Sequence, residues 1–306
     1  MTSQISYPRI SYHGGHSSDL CVHAPGSDTK SDLIEAYIAG GFSHFGVVEH
    51  LQPPADQFLF PEEIQAGFTA QALTERLDRF FAADRPGLAR DIARRYGGRI
   101  QMAIGIETEY YGAEPNIWLR NMIRRYRPDF IVASVHHVRG IPIDYSAEVF
   151  NRAVEVCGGL DQLAVEYFRA IRAQIAFLKE FFVPVVVGHL DLIKLFAPQF
   201  RLSLLIEDEI RAVITEAAAA GFVFEVNARA FKKGLTEPYP SAAILKLISA
   251  CGGMITFGDD AHAAAEVGMN LDRAAQFAAA RFDEVVAFEW SGGRLEPVRF
   301  PIRKVF

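Results

Sequence analysis

The sequence predicts an α/β protein that folds as a closed (β/α) barrel, and three observations support this fold class. Short apolar runs rich in β-branched and aromatic residues alternate with longer amphipathic stretches along the 306 residues. This alternation is typical of a parallel sheet, in which each strand is followed by a helix. Seven or eight such units in 306 residues fit a closed barrel better than an open doubly wound sheet, which stays the alternative. We expect one barrel domain over residues 1–306.

The predicted strands are spaced along the whole chain. They cover residues 9–12, 44–48, 100–106, 130–135, 183–187, 223–226 and 254–257, with a last strand near 285–290. Two of the intervening stretches, 31–41 and 73–98, have helical periodicity, and the first of them begins at Ser31, a residue type that caps helices. The segment 52–61 contains three prolines, which predicts a long loop over one end of the barrel.

Composition and charge exclude several classes of function. With a formal net charge of −6, the chain has no global basic field for nucleic acid or anionic lipid. The N-terminus does not have the pattern of a signal peptide, and no apolar run reaches the ~18 residues of a membrane span, so we expect a soluble cytoplasmic protein. The three separated cysteines suggest neither a disulfide framework nor a thiolate zinc site. No GxGxxG or GxxxxGK[ST] motif follows a strand, which disfavours dinucleotide and P-loop sites. The oligomeric state stays open.

Metal-binding residue types cluster after the predicted strands. In a (β/α) barrel the chemistry lies at the C-terminal ends of the strands. Eight of the nine histidines follow a strand, and only His44 begins one. The residues at these ends are, in chain order, His13, His16, His23, Glu49, His50, Glu107, Glu109, His136, His137, His189, Asp191, Glu225, Asn227, Asp259, Asp260 and His262.

A single histidine beside an apolar run is more often structural than a ligand, but the joint pattern predicts a metal site. Imidazoles with carboxylates suit zinc, iron or manganese, and there are more ligands than one tetrahedral ion uses. We therefore expect two or three divalent ions that share a carboxylate. Such a site lowers the pKa of a bridging water and contacts the substrate's oxygens, as in hydrolysis of a phosphate ester or an amide.

The motifs at these strand ends resemble those of the polymerase and histidinol phosphatase (PHP) superfamily. They read HGGHS, CVHA, VVEH, GIETEY, SVHHV, GHLDLIK and GDDAH, in that order from Ile10 to His262. The resemblance implies a distorted (β/α)7 barrel with a trinuclear metal site. Within the superfamily the sequence is most similar to histidinol-phosphate phosphatases, through segments such as SVHHVRGIPID and EVNARAFKKGLTEPYPSAAILKL.

The resemblance also implies roles for individual residues. It implies hydrolysis of L-histidinol phosphate to L-histidinol and phosphate in histidine biosynthesis, with a metal-bridging hydroxide as nucleophile. Glu107, Asp260 and His262 are the predicted catalytic residues. Three ligand sets are implied: His13, His16, Glu107 and Asp260 for one ion, Glu107, His136 and His189 for a second, and His23, His50 and His262 for the third.

Two features of the sequence qualify this assignment. The first motif is HxxH where the family usually has HxH, so His13 and His16 reach the same ion only if Gly14 and Gly15 form a bulge. Phosphate binding needs cations in an acidic chain, and the candidates are Arg139, Arg229, Lys232 and Lys233.

Further assignments and alternatives concern the remaining polar residues. Asp191 and Glu225 are candidates to orient imidazoles. Glu49 and Asp259 point the other way along their strands, which predicts a structural role or a place behind the ligands. His137 is a pocket wall, an outer-layer donor or a substrate contact. The candidates for the substrate's amine are Glu109, Tyr110 and Asp144. A phosphoesterase acting on nucleotides or another small ester, a related amidohydrolase and a non-catalytic metal-binding regulator are the alternative functions.

Overall fold

Seven parallel strands form the centre of the molecule in a computed structural model, which describes residues 4–81, 95–96, 98–112, 116–198, 200 and 203–305. The strands lie side by side in chain order. Their bounds are Ile10–Ser11, His44–His50, Gln101–Thr108, Phe130–Ala133, Val185–Val187, Val223–Asn227 and Met254–Gly258. We refer to them as the first to the seventh strand.

Hydrogen bonds between the C-terminal ends of the first and seventh strands and the residues after them close the sheet into a barrel. The amide of Tyr12 donates to the carbonyl of Phe257 at 2.9 Å, and the amide of Asp260 donates to the carbonyl of His13 at 2.7 Å. The predicted fold class is therefore confirmed, as are the positions of the seven strands. The sequence pattern identified them because strands buried on both faces appear as continuous apolar runs.

Helices follow the strands and cover the outside of the barrel. Their bounds are Lys30–Ala39, Pro61–Gln65, Ala70–Phe81, Asn116–Tyr126, Ala147–Cys157, Leu160–Leu178, Leu204–Ala219, Arg229–Lys232, Ala242–Ala250 and Leu271–Ala279. Short 3-10 turns lie at Asp56–Phe58, Leu192–Leu195 and Ala264–Glu266. Among the described helices, none is both long and apolar enough to cross a membrane.

The first long helix begins earlier than predicted. Its cap is Thr29, not Ser31: the Thr29 hydroxyl accepts from the amide of Asp32, whose carboxylate accepts from the amide of Thr29 at 2.8 Å. This reciprocal capping box satisfies two amides that the helix itself leaves free, which a cap at Ser31 cannot do. The predicted stretch 73–98 is helical from Ala70 to Phe81, and most of its remainder lies outside the described residues.

The predicted eighth strand exists but does not join the barrel. Glu284–Ser291 pairs antiparallel with Arg294–Pro301. Gly292 and Gly293 both have positive φ, 57° and 83°, which suits the two-residue turn of a tight hairpin. Because seven strands already close the barrel, this strand takes its neighbour in the sequence as partner. Two smaller antiparallel pairs join Gln4–Ser6 to Arg303–Val305 and His137–Val138 to Ile141–Pro142.

The inside of the barrel is filled by a large aromatic side chain. The ring of Phe130 faces Gly46 and Gly105 on neighbouring strands, and a Cβ on Gly105 would lie 2.5 Å from that ring. The ring also makes an edge contact with Tyr12 at 5.4 Å. Glycine at these two strand positions therefore makes room for Phe130.

Candidate active site

Glu107 lies at the centre of a group of imidazoles at the C-terminal ends of the strands. It is the second-to-last residue of the third strand and is 2% exposed. Its Oε2 atom is 2.8 Å from Nδ1 of His50 and 3.2 Å from Nε2 of His13. Its Oε1 atom is 3.3 Å from Nε2 of His189 and 3.4 Å from Nε2 of His136. One carboxylate thus contacts histidines at the ends of four different strands.

Four overlapping groups bring three ligand atoms each within 4.8 Å of one another. All of their members are residues that the sequence predicted as ligands. The groups are His13, His16 and Glu107; His13, His189 and Asp260; Glu107, His136 and His189; and His16, His50 and His262. The arrangement can therefore hold more than one divalent ion.

The first two predicted ligand sets come together in the structure. The Oδ1 atom of Asp260 is 3.9 Å from Nε2 of His13 and 3.7 Å from Nε2 of His16, and His16 is 3.8 Å from Glu107. The second set coincides with the group of Glu107, His136 and His189. Glu107 belongs to both, as a bridging carboxylate must.

The third predicted set comes together only in part. His50 and His262 are grouped with His16, whose ring stacks on His50 at 4.3 Å. His23 lies apart from this group, since its Nδ1 atom is 2.7 Å from Oε1 of Glu62 and its ring centre is 5.9 Å from that of His50. The short helix Pro61–Gln65 carries Glu62 over the cavity. Local sequence contains no signal for this contact, because it depends on the path of the loop before the helix.

Gly14 and Gly15 allow His13 and His16 to enter the same site, as the HxxH spacing required. The first strand ends at Ser11, so both histidines lie in the loop after it. Gly15 has φ +77°, and a Cβ there would lie 2.6 Å from the ring of Phe45. The amides of Gly15 and His16 both donate to the carbonyl of Ala261, at 2.9 and 3.0 Å. This turn brings both imidazoles to Glu107.

Buried carboxylates behind the imidazoles orient them. Glu225 Oε2 is 3.1 Å from Nδ1 of His13 and accepts from the amide of His189 at 2.8 Å, as predicted for an orienting acid. Glu109 Oε2 is 2.9 Å from Nδ1 of His136 and 3.2 Å from Nδ1 of His137. Acids of this kind fix the tautomer of a metal-binding histidine.

Three predictions about neighbouring acids have different outcomes. Asp191 does not orient an imidazole, since its Oδ2 atom accepts from Lys194 and from the amide of Ser241. Glu49 and Asp259 lie behind the ligands and make structural contacts, as predicted, and the Oε2 atom of Glu49 is 4.0 Å from Nδ1 of His16. Glu49 pairs with the buried Lys30, and Asp259 accepts a 2.6 Å hydrogen bond from the hydroxyl of Tyr37.

The electrostatic state of the cluster suits metal binding. Burial lowers the pKa of His16 well below its ordinary value, and the neighbouring His50 and His262 add to the shift, so His16 is neutral near pH 7. Burial raises the pKa of Glu107, but the positive charges of His13 and His50 outweigh it and hold that pKa well below its usual range. Divalent ions bind ionised carboxylates and neutral imidazoles, so a bound ion would take the place of the positive charge that His13 and His50 hold beside Glu107.

The contact between His13 and Glu107 marks a place for a proton or a metal ion. When Nδ1 of His13 donates to Glu225, its Nε2 atom carries a lone pair, and this atom faces Oε2 of Glu107 at 3.2 Å. Neither of these two buried atoms has a hydrogen-bond partner. Two facing acceptors repel each other unless a proton or a metal ion lies between them. The residues present therefore fit a divalent ion.

The predicted phosphate-binding cations divide into two groups. Arg229 and Lys233 line the cavity above the cluster, which has a volume of about 530 Å³. Arg139 does not line it, because its Nε atom donates to Glu166 at 2.7 Å on the outer surface. Lys232 pairs with Glu266 and is also absent from the cavity wall. The loop after the sixth strand therefore supplies cations to the site, and Arg139 does not.

Comparisons with known proteins were made for sequence and for structure. No protein-family model matches the chain. The chain is 34% identical over 274 residues to a Schizosaccharomyces pombe protein named "Probable histidinol-phosphatase", covering 88% of this chain and 85% of that protein. It is 28% identical over 297 residues to the histidinol-phosphatase of Saccharomyces cerevisiae, covering 87% of each.

Two solved structures have the same fold. A Listeria monocytogenes protein with a provisional histidinol phosphatase name has a TM-score of 0.73 and 21% identity, covering 87% of this chain and 99% of that one. A histidinol phosphate phosphatase from Lactococcus lactis has a TM-score of 0.66 and 19% identity, covering 94% and 98%. Identity of 34% over most of both chains shows the family. The resemblance found in the motifs is confirmed, and the chain belongs to the histidinol-phosphatase family.

Proposed function

We propose that this chain is a metal-dependent phosphomonoesterase that hydrolyses L-histidinol phosphate to L-histidinol and phosphate. The observation that carries the proposal is the cluster around Glu107, in which buried imidazole and carboxylate atoms face one another without a hydrogen bond. The relatives support the substrate, since they are named histidinol-phosphatases and the Lactococcus structure is described as a complex with zinc, L-histidinol and phosphate.

The proposed cofactor is a set of two or three divalent ions, with zinc, iron and manganese all compatible with nitrogen and oxygen ligands. Bound ions lower the pKa of water and neutralise phosphoryl oxygens. The residues proposed to hold them are His13, His16, His50, Glu107, His136, His189, Asp260 and His262, with His23 as a further ligand if it leaves Glu62.

The protein's own contribution is to fix which ring nitrogen each histidine presents. The Nδ1 atom of His262 lies 3.0 Å from the carbonyl of Asp260, which leaves Nε2 as the acceptor. Nδ1 of His136 is held by Glu109 in the same way. Because these protons are held by neighbours, the opposite nitrogens stay free for metal.

Arg229 is the best-positioned residue to hold the phosphate. Its guanidinium donates to the carbonyl of Asp260 and to Glu266 at 3.1 Å, so its position at the cavity wall is fixed. Lys233 is exposed at the rim of the same cavity. In a chain of net charge −6, these two cations attract a small dianion locally.

A phosphate-release assay with manganese or zinc tests the proposal. The panel contains L-histidinol phosphate, p-nitrophenyl phosphate and nucleoside monophosphates. We expect kcat/KM for L-histidinol phosphate to exceed the others by about 100-fold, since a site built for polar groups rejects substrates that lack them. Absence of turnover of any monoester refutes the phosphatase activity. A preference for a nucleotide refutes only the histidinol assignment.

A further inference from the structure

His137 is a buried histidine that is not among the proposed metal ligands. It follows His136 directly and begins the short strand His137–Val138, and its side chain is 1% exposed. Its ring packs against the rings of Phe60 and Tyr111, whose centres are 5.0 and 5.2 Å away. A polar ring among aromatic rings is costly unless its nitrogens are hydrogen-bonded. The contacts of these two nitrogens therefore indicate what the residue does.

The two nitrogens of His137 have different surroundings. Nδ1 lies 3.2 Å from Oε2 of Glu109, whereas Nε2 is buried and has no hydrogen-bond partner in the protein. A phenylalanine would pack against the same rings without leaving a nitrogen unsatisfied. Packing therefore does not explain a histidine at this position, and the contact with Glu109 is what a phenylalanine could not make.

Glu109 does not need His137 to stay in place. Its Oε1 atom accepts from the amide of Tyr110 at 2.8 Å, and its Oε2 atom accepts from the amide of His136, also at 2.8 Å. Oε2 is in addition 2.9 Å from Nδ1 of His136. So many N–H groups favour the ionised carboxylate, so the Nδ1 atoms of both histidines are donors. His137 is thus an extra donor on an oxygen that the backbone already holds.

An extra donor changes how strongly Glu109 acts on His136. A carboxylate that accepts from a metal-binding imidazole makes that imidazole a stronger ligand. Donors that share one oxygen divide its negative charge, so the N–H of His137 weakens the effect of Glu109 on His136. The opposite nitrogen of His136, Nε2, lies 3.4 Å from Oε1 of Glu107 in the proposed metal site. His137 therefore acts at a distance on the ligand strength of that nitrogen.

We propose that His137 is a positioning residue that acts through Glu109 to limit the ligand strength of His136. A weaker ligand leaves more positive charge on the ion that Glu107, His136 and His189 would hold, which favours polarisation of a phosphoryl oxygen. The inference rests on the proposed phosphatase function and its metal site. It explains why a buried histidine is kept although one of its nitrogens has no partner.

Two substitutions separate the ring of His137 from its donor. His137→Phe keeps a ring against Phe60 and Tyr111 but loses the N–H, whereas His137→Asn keeps an N–H near the position of Nδ1 but loses the ring. We expect His137→Phe to bind manganese or zinc about 3- to 10-fold more tightly, less than the effect of a direct partner of a ligand. For L-histidinol phosphate, kcat should fall by about the same factor and KM change by less than about 2-fold. His137→Asn should restore the metal affinity to within about 2-fold of wild type.

Thermal unfolding of the metal-free variants distinguishes this role from a structural one. In His137→Phe the lost hydrogen bond is offset by removal of the unsatisfied nitrogen, so its melting temperature should stay within about 3 °C of wild type. His137→Asn leaves a gap beside Phe60 and Tyr111 and should melt at a lower temperature. The variant with the altered metal affinity is thus expected to be the more stable of the two, which a structural role would not produce.

His44→Phe is the matched control. His44 is another buried histidine near a carboxylate, with its Nε2 atom 3.4 Å from Oε1 of Glu289, but it lies at the opposite end of the second strand from His50. This substitution should leave metal affinity and kcat unchanged. Glu148→Gln, at an exposed carboxylate of the helix Ala147–Cys157, provides a second baseline.

Calorimetric titration of manganese or zinc into chelator-treated protein measures the affinities without turnover. Unchanged or weaker binding by His137→Phe overturns the proposal, and so does a folded His137→Asn that binds metal as His137→Phe does. If His137→Asn does not fold, the affinity of His137→Phe decides alone. Absence of phosphate release from every ester overturns the phosphatase function but leaves the titration, and with it the role of His137, to be judged separately.

Discussion

Glu107 shows how much of the site depends on one side chain. Its two oxygens lie within 3.4 Å of nitrogens from His13, His50, His136 and His189. Replacing one oxygen by an amide leaves the shape intact but removes the negative charge and one acceptor. The residue therefore allows a test of the ligand assignment that disturbs packing little.

Glu107→Gln is expected to lose bound metal and activity together. Outer-layer partners of metal ligands typically contribute 10- to 100-fold, so a carboxylate shared by two ions should contribute at least about 100-fold in kcat/KM. Metal content by mass spectrometry and phosphate release provide the measurement, with Glu148→Gln as control. Full metal content and full activity in Glu107→Gln would show that the ligand assignment is wrong.

Gly15 and Gly26 form a matched pair for testing the turn between His13 and His16. Both have left-handed φ, +77° and +79°, but a Cβ at Gly26 meets nothing within 4 Å while one at Gly15 meets Phe45 at 2.6 Å. Gly26→Ala should reduce the free energy of unfolding by about 1–2 kcal/mol, the cost of an alanine in that conformation. Gly15→Ala should cost a further ~1–3 kcal/mol through overpacking, and lose activity as His16 shifts. Urea denaturation measures the difference, and equal values for the two variants would contradict this account.

At the scale of secondary structure, a buried ion pair attaches the helix Lys30–Ala39 to the second strand. Lys30, 5% exposed, pairs with Glu49, which is 1% exposed. Lys30 also donates to the carbonyl of Gly15, and Glu49 accepts from the amide and hydroxyl of Ser17. The helix, the strand and the loop that carries His13 and His16 are thus joined at one point behind the proposed metal site.

Lys30→Met is expected to destabilise the fold strongly. It leaves Glu49 buried without its counter-charge, which costs about 3–5 kcal/mol. Arg99→Met is the control, because the pair of Arg99 and Glu35 is about half exposed and should contribute at most ~1 kcal/mol. Chemical denaturation compares the two variants. A loss in Lys30→Met no larger than that in Arg99→Met would show that the buried pair does not secure the loop.

Prediction from sequence succeeded for elements whose signal is local. Periodicity located the seven barrel strands, and the strand ends located the histidines. It did not show that the strand Glu284–Ser291 would leave the barrel, because closure after seven strands is a property of the whole sheet. The cap at Thr29 was missed because Thr29 and Ser31 are both residue types that cap helices. Only a helix that begins at Lys30 places Asp32 where its carboxylate and the Thr29 hydroxyl can bond each other's amides.

For the whole molecule, the buried apolar residues form one continuous cluster from Ile10 to Ile302. We propose on this basis that residues 1–306 form a single barrel domain. The seven strands are hydrogen-bonded side by side in one sheet. Among the described residues, the core has no boundary at which it divides in two. The proposed metal ligands lie at one end of this core, so ion binding and folding should be coupled.

Removal of metal should therefore lower stability as well as activity. An ion that binds only the folded state at 100 times its dissociation constant stabilises it by about 2.7 kcal/mol. We expect the chelated protein to melt in one cooperative transition several degrees below the metal-loaded protein, and added manganese or zinc to restore the difference. Calorimetry with and without chelator measures this. Two separate transitions would refute the single domain, and an unchanged melting temperature would refute the coupling.

The amino-acid sequence determined the barrel and the strand ends at which the histidines and acids gather, because both depend on residues near one another in the chain. Tertiary structure decided which atoms meet: His16 and not His23 lies with His50 and His262, and Arg139 pairs with Glu166 outside the cavity. Tertiary structure also places the carboxylate of Glu109 against His136. It leaves the Oδ1 atom of Asp144, at the cavity wall, without a hydrogen-bond partner. Contacts of about 3 Å depend on the paths of loops that start from different strands, and the period of a single segment carries no information about those paths.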